Sequence, residues 1–259
     1  MGKHLHTTLA DRFKYFTSPI RPRPDDIEIV RQQLSLLNKP ARGILLGVTK
    51  ELVELANDEI KMIAVDRSKD MIEHHWIGNN SNRIVKLADW LELESIATNI
   101  NFVIGDGIFN VIDRKCQHQL MDCIRNVLAD DGLLIVRVQC NPVVRETIKE
   151  IFENTTNNFC AFLSRLVNSI CDSNFEVRGS EIFNKFKEYV TDIDIARFRW
   201  TKEDISIIEA HENSSHVITF LTEEMFTKLC DQHQMKILSK FNGSYQLSER
   251  NPTFIIRKD

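Results

Sequence analysis

The chain has 259 residues, 42% apolar and 27% charged, with a formal net charge of −4 and a pI near 6.1. That is the composition of a globular protein; it gives no electrostatic case for nucleic acid, and no apolar run is long enough to span a bilayer. The N-terminus, MGKHLHTTLADRF, lacks the apolar core of a signal peptide. The six cysteines (Cys116, Cys123, Cys140, Cys160, Cys171 and Cys230) form no C-x-x-C pair. Reduced, mostly buried thiols in a cytoplasmic protein are therefore expected, with no zinc site and no membrane partner.

Residues 1–24 read as irregular, because Pro19, Pro22 and Pro24 forbid regular structure. Asp25 and Asp26 place negative charge at the start of a helix whose apolar stripe is Ile27, Val30, Leu34 and Leu37. Short apolar runs follow at Ile44–Leu46, Met62–Val65, Ile84–Leu87, Phe102–Ile104 and Leu133–Val138. They have the continuous apolarity of buried parallel strands, and helical patterns separate most of them. One such pattern starts at Thr49, and another is capped by Ser68. The alternation predicts a doubly wound α/β sheet.

Residues 142–219 hold helical patterns at Val144–Phe152, Phe159–Ile170, Ile182–Ile193 and Ile205–Ala210, and no convincing strand. A helix over Thr222–Gln232 and strand-like runs at Met235–Phe241 and Thr253–Arg257 close the chain. The expected organisation is an N-terminal arm and helix (1–42), a cofactor-binding core (43–141), a helical cap (142–219), and a C-terminal helix and hairpin completing the sheet (220–259).

In an open α/β sheet, ligands bind outside the carboxyl ends of the strands. Gly47, Asp66, Asp89 and Asp106 fall at four successive strand ends. A carboxylate after the second strand suits the vicinal hydroxyls of a ribose; the alternative is a plain helix cap. The phosphate half of a dinucleotide fingerprint is missing, since Thr49 and Glu51 occupy the turn after Gly47. Glu51 would repel a phosphate at the helix start. A ribose ligand with an ammonium-bearing tail fits better than NAD or FAD. Asp89 can accept from an adenine amino group, with Trp90 covering a ring face. The glycines of Gly105-Asp106-Gly107 allow close backbone approach or a turn of positive φ.

The pieces RPRPDD (21–26), ILLGVTKEL (44–52), AVDRSKDMI (64–72), DWLEL (89–93), VIGDGIFN (103–110), FCAFLSRLVNSI (159–170) and YQLSERNPTFII (245–256), in this order and spacing, resemble the class I S-adenosylmethionine-dependent methyltransferases. Within them they are similar to a bacterial group whose first loop reads LLGVTPEL. The resemblance implies a Rossmann-like sheet of parallel strands with a C-terminal antiparallel hairpin and a helical cap. It implies S-adenosyl-L-methionine as cofactor and methyl transfer to a small or medium-sized acceptor. It further implies that Gly47 admits the methionine part, that Thr49 belongs to the same cofactor site, that Asp66 binds the ribose, and that Ser68 and Met71 lie by the adenine. Asp89 and the Trp90 backbone would hold the adenine edge, with Asp106 beside the methyl-bearing sulfur and Gly105 also in the cofactor site. The chain departs from most of the family at Leu45, where an acid is usual, and at Thr49 and Glu51, where glycines are.

Further candidates come from the residues themselves. His118 follows the loop after the fourth strand and is a candidate proton acceptor beside Asp106. Tyr15, Arg21 and Arg165 are candidates for the acceptor pocket, the first two alternatively clamping the arm to the domain. A non-catalytic relative that binds the cofactor or a partner, and a nicotinamide oxidoreductase, remain the rival readings.

Overall fold

The computed structural model describes residues 9–259. In chain order its elements are α1 (Leu9–Arg12), α2 (Pro24–Ser35), β1 (Ala41–Leu46), α3 (Lys50–Val53), β2 (Ile60–Asp66), α4 (Lys69–His75) and β3 (Arg83–Leu87). Then come β4 (Ile100–Asp106), α5 (Arg114–Val127), β5 (Leu128–Arg137), α6 (Ile148–Glu153), α7 (Phe159–Ile170), β6 (Glu176–Arg178) and α8 (Gly179–Tyr189). The chain ends with α9 (Asp192–Phe198), α10 (Lys202–Glu209), β7 (Val217–Thr219), α11 (Glu223–Gln232), β8 (Met235–Phe241) and β9 (Thr253–Lys258).

Seven strands form one sheet in the order β3-β2-β1-β4-β5-β9-β8. The first five are mutually parallel, and β9 inserts antiparallel between β5 and β8. This is the expected Rossmann-like sheet of parallel strands with its C-terminal antiparallel pair. Successive side chains of a strand face opposite layers, and the core divides accordingly. Ile44, Leu46, Val103 and Val136 pack with α5 and α11 through Leu120, Ile124 and Phe226. Leu45, Ala64, Ile104 and Ile135 pack with α2 through Ile27, Val30 and Leu34.

Residues 142–219 make a third apolar cluster around Phe159, Phe162, Phe186, Phe198 and Trp200. This cap departs from expectation twice. A two-stranded ladder, β6 with β7, crosses it; three-residue strands are too short to show a period. The helical run expected over Ile182–Ile193 breaks into α8 and α9 at Val190. Thr191 starts the second helix by accepting from the Asp194 amide, while the Asp194 carboxylate accepts from Thr191.

Three other expectations change. Residues before Pro24 are not wholly irregular, because α1 and a 3-10 turn at Phe13–Tyr15 precede the proline stretch. The helix starting at Thr49 lasts one turn, since the Asn57 side chain accepts from the Glu59 and Ile60 amides and turns the chain into β2. The Asp130–Gly132 turn lies within β5 as a bulge, where Ile100 pairs with Leu128 but Phe102 with Leu133.

Candidate functional site

The carboxyl ends of β1, β2 and β3 converge on one carbonyl. Val65 O accepts from the Gly47 amide at 2.8 Å and from the Trp90 indole Nε1 at 2.7 Å. Gly47 has φ +98°, and a Cβ built there would meet no atom within 4 Å. The residue is glycine for its backbone conformation and faces open space. Thr49, nearly buried, starts α3 through its carbonyl, with no cap bond from its side chain.

Asp66 ends β2 with 8% of its surface exposed. Its Oδ1 accepts from the Ser68 amide at 2.8 Å, and Oδ2 has no protein hydrogen bond among the described residues. Burial raises its pKa, against smaller lowering effects from the Ser68 amide and Arg67. Ser68 caps α4 as expected, accepting from the Met71 amide at 3.2 Å, and Met71 is half-buried on the α2 side. Asp89 begins a 3-10 turn over Trp90–Ser95, its Oδ1 accepting from the Leu91 amide at 2.9 Å. The Ala88 amide donates to Asp66 O at 3.1 Å, tying β3's end to β2's. Gly47, Asp66, Ser68, Asp89 and Trp90 are thus brought together. The Trp90 indole is fixed by its bond to Val65 O and packs against the core, so its ring serves as floor.

The end of β4 differs from expectation. Gly105 is glycine because an added Cβ would lie 2.6 Å from Ile108, which is a packing constraint and needs no ligand. Asp106 accepts from Arg137 Nε at 2.7 Å, and the two side chains are 9% and 4% exposed. The same guanidinium donates to Pro19 O (2.6 Å), Ile20 O (2.9 Å) and Tyr245 Oη (3.4 Å). Tyr245 Oη in turn donates to Asp26 Oδ1 at 3.2 Å. Burial works against the charge of Arg137, but Asp106, Tyr245 and Asp26 together more than offset it and keep the guanidinium charged, while burial raises the pKa of Asp26 and of Tyr245. Asp106 is therefore one end of a buried ion pair that anchors the N-terminal arm; it is not a free carboxylate beside a reacting atom. The sequence signal was present in Arg137 itself, a cation inside the apolar run LLIVRV.

The other candidates also find protein partners. Arg21 grips Glu51 with two bonds (2.7 and 3.1 Å) and lies over the Phe13 ring. It neutralises the acid at the start of α3 and clamps the arm to the first loop. Tyr15 packs into the cap cluster, with Arg12 and Lys14 over its ring. Arg165 pairs with Glu146, which also holds Arg250 at 2.8 Å. That triad joins α7 to the loop before β9, so Arg165 is committed to structure.

His118 is not at this edge. It bonds His233 Nε2 at 2.9 Å, and His233 Nδ1 contacts Asp122 at 2.5 Å. His233 caps the end of α11, two residues before β8, whose first residue pairs with Lys258, and Lys258 reaches Leu128 O at the start of β5. His118 is thus tied to the amino edge of the sheet, remote from Asp66 and Asp106. Cys140 is a buried thiol whose pKa burial raises to about 12, as expected for a core residue. All six cysteines are free, and among the described residues no three His, Cys, Asp or Glu side chains are grouped to hold a metal. No helix of the described residues is long and apolar enough to cross a membrane.

The arm and the cap close over the same edge. His75 contacts Ala10 O at 2.8 Å, Asn158 Nδ2 donates to Ser18 O at 3.0 Å, and the Thr17 amide donates to Cys160 Sγ at 3.2 Å. From the cap, Thr219 exchanges bonds with Asn110, amide to carbonyl at 2.9 Å and Asn110 Nδ2 to Thr219 O at 3.0 Å.

No family model and no curated protein matches the sequence. Solved structures do match in fold. A protein described as a Zn-dependent alcohol dehydrogenase from Rhodobacter sphaeroides superposes with TM-score 0.63 at 12% identity, covering 97% of this chain and 98% of that one. The CcbJ methyltransferase from Streptomyces caelestis gives TM-score 0.58 at 11% identity, covering 97% and 96%. The 1,6-didemethyltoxoflavin-N1-methyltransferase of Burkholderia thailandensis, solved with 1,6-didemethyltoxoflavin and S-adenosylhomocysteine, gives 0.53 at 8% identity, covering 91% and 78%. At these identities the likeness is one of fold.

Proposed function

We propose that this protein transfers the methyl group of S-adenosylmethionine to a small or medium-sized acceptor. The observation that carries the reading is the cluster at the ends of β1–β3. A positive-φ glycine facing open space stands beside a nearly buried carboxylate with one oxygen unbonded, in a sheet of this strand order.

The residues fit the adenosine half of that cofactor. Asp66 Oδ2 is available to a ribose hydroxyl, and Asp89 keeps one oxygen for an adenine amino group. Met71 offers an apolar cover, and Gly47 leaves room for the methionine part. The cofactor would supply a methyl group already activated on a sulfonium. The protein's own work is then to bind, orient and exclude water. The Arg21–Glu51 pair and the Arg137 anchor hold the arm across the edge where that exclusion is needed. The Rhodobacter likeness does not favour an oxidoreductase, because the turn after β1 lacks the G-x-G-x-x-G glycines that let the backbone approach a pyrophosphate. A small-molecule acceptor, in a cytoplasmic protein, is preferred to a nucleic acid on the charge of the chain.

Calorimetry with S-adenosylmethionine, S-adenosylhomocysteine and NADH tests this. Binding of the first two and not the third is expected. Binding of NADH alone transfers the protein to the oxidoreductases, and binding of none refutes the proposal.

A further inference from the structure

The sheet has a hollow at its amino edge, at the end of β1–β3 opposite the proposed cofactor cleft. The connection from β3 to β4 holds only the 3-10 turn Trp90–Ser95 and no helix. A cavity of about 540 Å³ opens between that connection and the first residues of β1, β2 and β3, which is the size of a small-molecule site. The register sets its floor and its rim. In-register partners of parallel strands point to the same face: Arg42 stands beside Lys61, and Ile63 beside Ile84. Lys61 and Ile63 are also two apart on β2 and so share that face. Ile96 and Ala97 supply a wall. Ile84, on the edge strand, is 40% exposed, so the floor presents apolar surface to the opening.

The charge of this hollow is one-sided. Its lining includes Arg42, Lys61 and Arg83 and no carboxylate, in a chain whose net charge is −4. Arg42 is exposed, and its guanidinium has no hydrogen bond or ion pair among the described residues. Its backbone is fixed, since its amide donates to Asn101 Oδ1 at 2.9 Å. Lys61 Nζ donates to Asn82 Oδ1 and lies 4.0 Å from Asp58, whose side chain is 96% exposed and stands outside the lining. Arg83 Nε donates to Gly78 O at 3.1 Å, a neutral partner. We propose that the hollow is a second binding site, for an organic anion with an apolar body. The head lies on Arg42 and Lys61, where a guanidinium fork suits a carboxylate. The body covers Ile63, Ile84 and Ile96, whose burial favours binding. Arg42 and Gly47 are five residues apart along β1, roughly 16 Å at a strand's rise per residue, so the two sites are distinct. This site does not depend on the cofactor reading.

The test is NMR of the full chain with methyl-labelled isoleucine, the signals of Ile63, Ile84 and Ile96 assigned by single Ile→Val replacements. The probes are decanoate, decanol and decylamine, each kept below the concentration at which it aggregates. Nuclear Overhauser contacts from the decanoate chain to these three methyls are expected, with decylamine bound roughly tenfold more weakly or worse. Arg42→Gln should weaken decanoate roughly three- to tenfold and leave decanol unchanged; an exposed side chain contributes little to the fold, which circular dichroism checks. Ile84→Asp should abolish the decanoate contacts, because it sets a carboxylate in the floor. Decanoate that touches none of the three methyls, or only isoleucines elsewhere, would overturn the site. Decylamine bound as tightly as decanoate, or an Arg42→Gln variant with unchanged decanoate affinity, would overturn the anion.

Discussion

Replacing Arg137 by Met separates an anchoring role for the Asp106 pair from a catalytic one. The substitution removes four bonds at once: to Asp106, to the carbonyls of Pro19 and Ile20, and to Tyr245. It leaves Asp106 as an unpaired carboxylate with 9% exposure. Breaking a buried pair from one side costs about 3–5 kcal/mol. For a chain of this size that lowers the melting temperature by roughly 6 to 20 °C. The double variant Asp106→Leu/Arg137→Met removes both charges, and should regain at least half of the loss because no buried charge remains. Thermal and urea unfolding of wild type, single and double variants, with limited proteolysis of the arm, read this directly. The single variant should also be cut faster within residues 9–23. A single variant within about 1 kcal/mol of wild type, or a double variant no better than the single, would refute the reasoning.

Other outcomes follow from the same geometry. Asp66→Ala should weaken S-adenosylhomocysteine binding by about 10- to 150-fold with the fold intact, since hydrogen bonds to a charged partner contribute roughly 1.5–3 kcal/mol; Asp89→Asn should cost less, and calorimetry with circular dichroism checks both. Because burial raises the Asp66 pKa, its ionised form is lost on acidification at a pH above the ordinary 3.8, and wild-type affinity should fall there while Asp66→Asn shows no such fall. His211 is held neutral with a pKa of about 4 against 6.5 when unfolded. Its contribution to stability is therefore full above 6.5 and is lost as the pH falls through that window. Urea unfolding should show about 2 kcal/mol lost between pH 7 and pH 5, absent in His211→Phe. Gly47→Ala should cost about 1–2 kcal/mol in stability through its positive φ and reduce S-adenosylhomocysteine binding, because its methyl enters the open space over the loop.

The sheet was legible because its strands are short continuous apolar runs, and the order of strand ends located Gly47, Asp66 and Asp89 without any contact being known. What the sequence hid was long-range pairing. Arg21 and Glu51, Arg137 and Pro19, and Arg165 and Glu146 are each separated by many residues, and nothing local distinguishes a cation that binds a substrate from one that binds the protein's own acid. Asp106 was misread for the same reason: its position at a strand end is that of a ligand-binding acid, and only the fold shows Arg137 beside it. His118 was misplaced because a helix face cannot be oriented from one apolar stripe alone; Asp122 and His233 draw it to the other edge. The capping pairs of Thr191 with Asp194 and Thr201 with Asp204 mark α9 and α10 more sharply than hydrophobic spacing does, and a reading by spacing alone passed over them.

The location of the cofactor is the central claim, and a crystal structure grown with S-adenosylhomocysteine tests it most directly. The account predicts the ribose hydroxyls on Asp66, the adenine amino group on Asp89, the tail over Gly47 beneath the arm, and Asp106 still paired with Arg137. The ligand bound away from the ends of β1–β3, or Asp66 left without contact to it, would contradict the account.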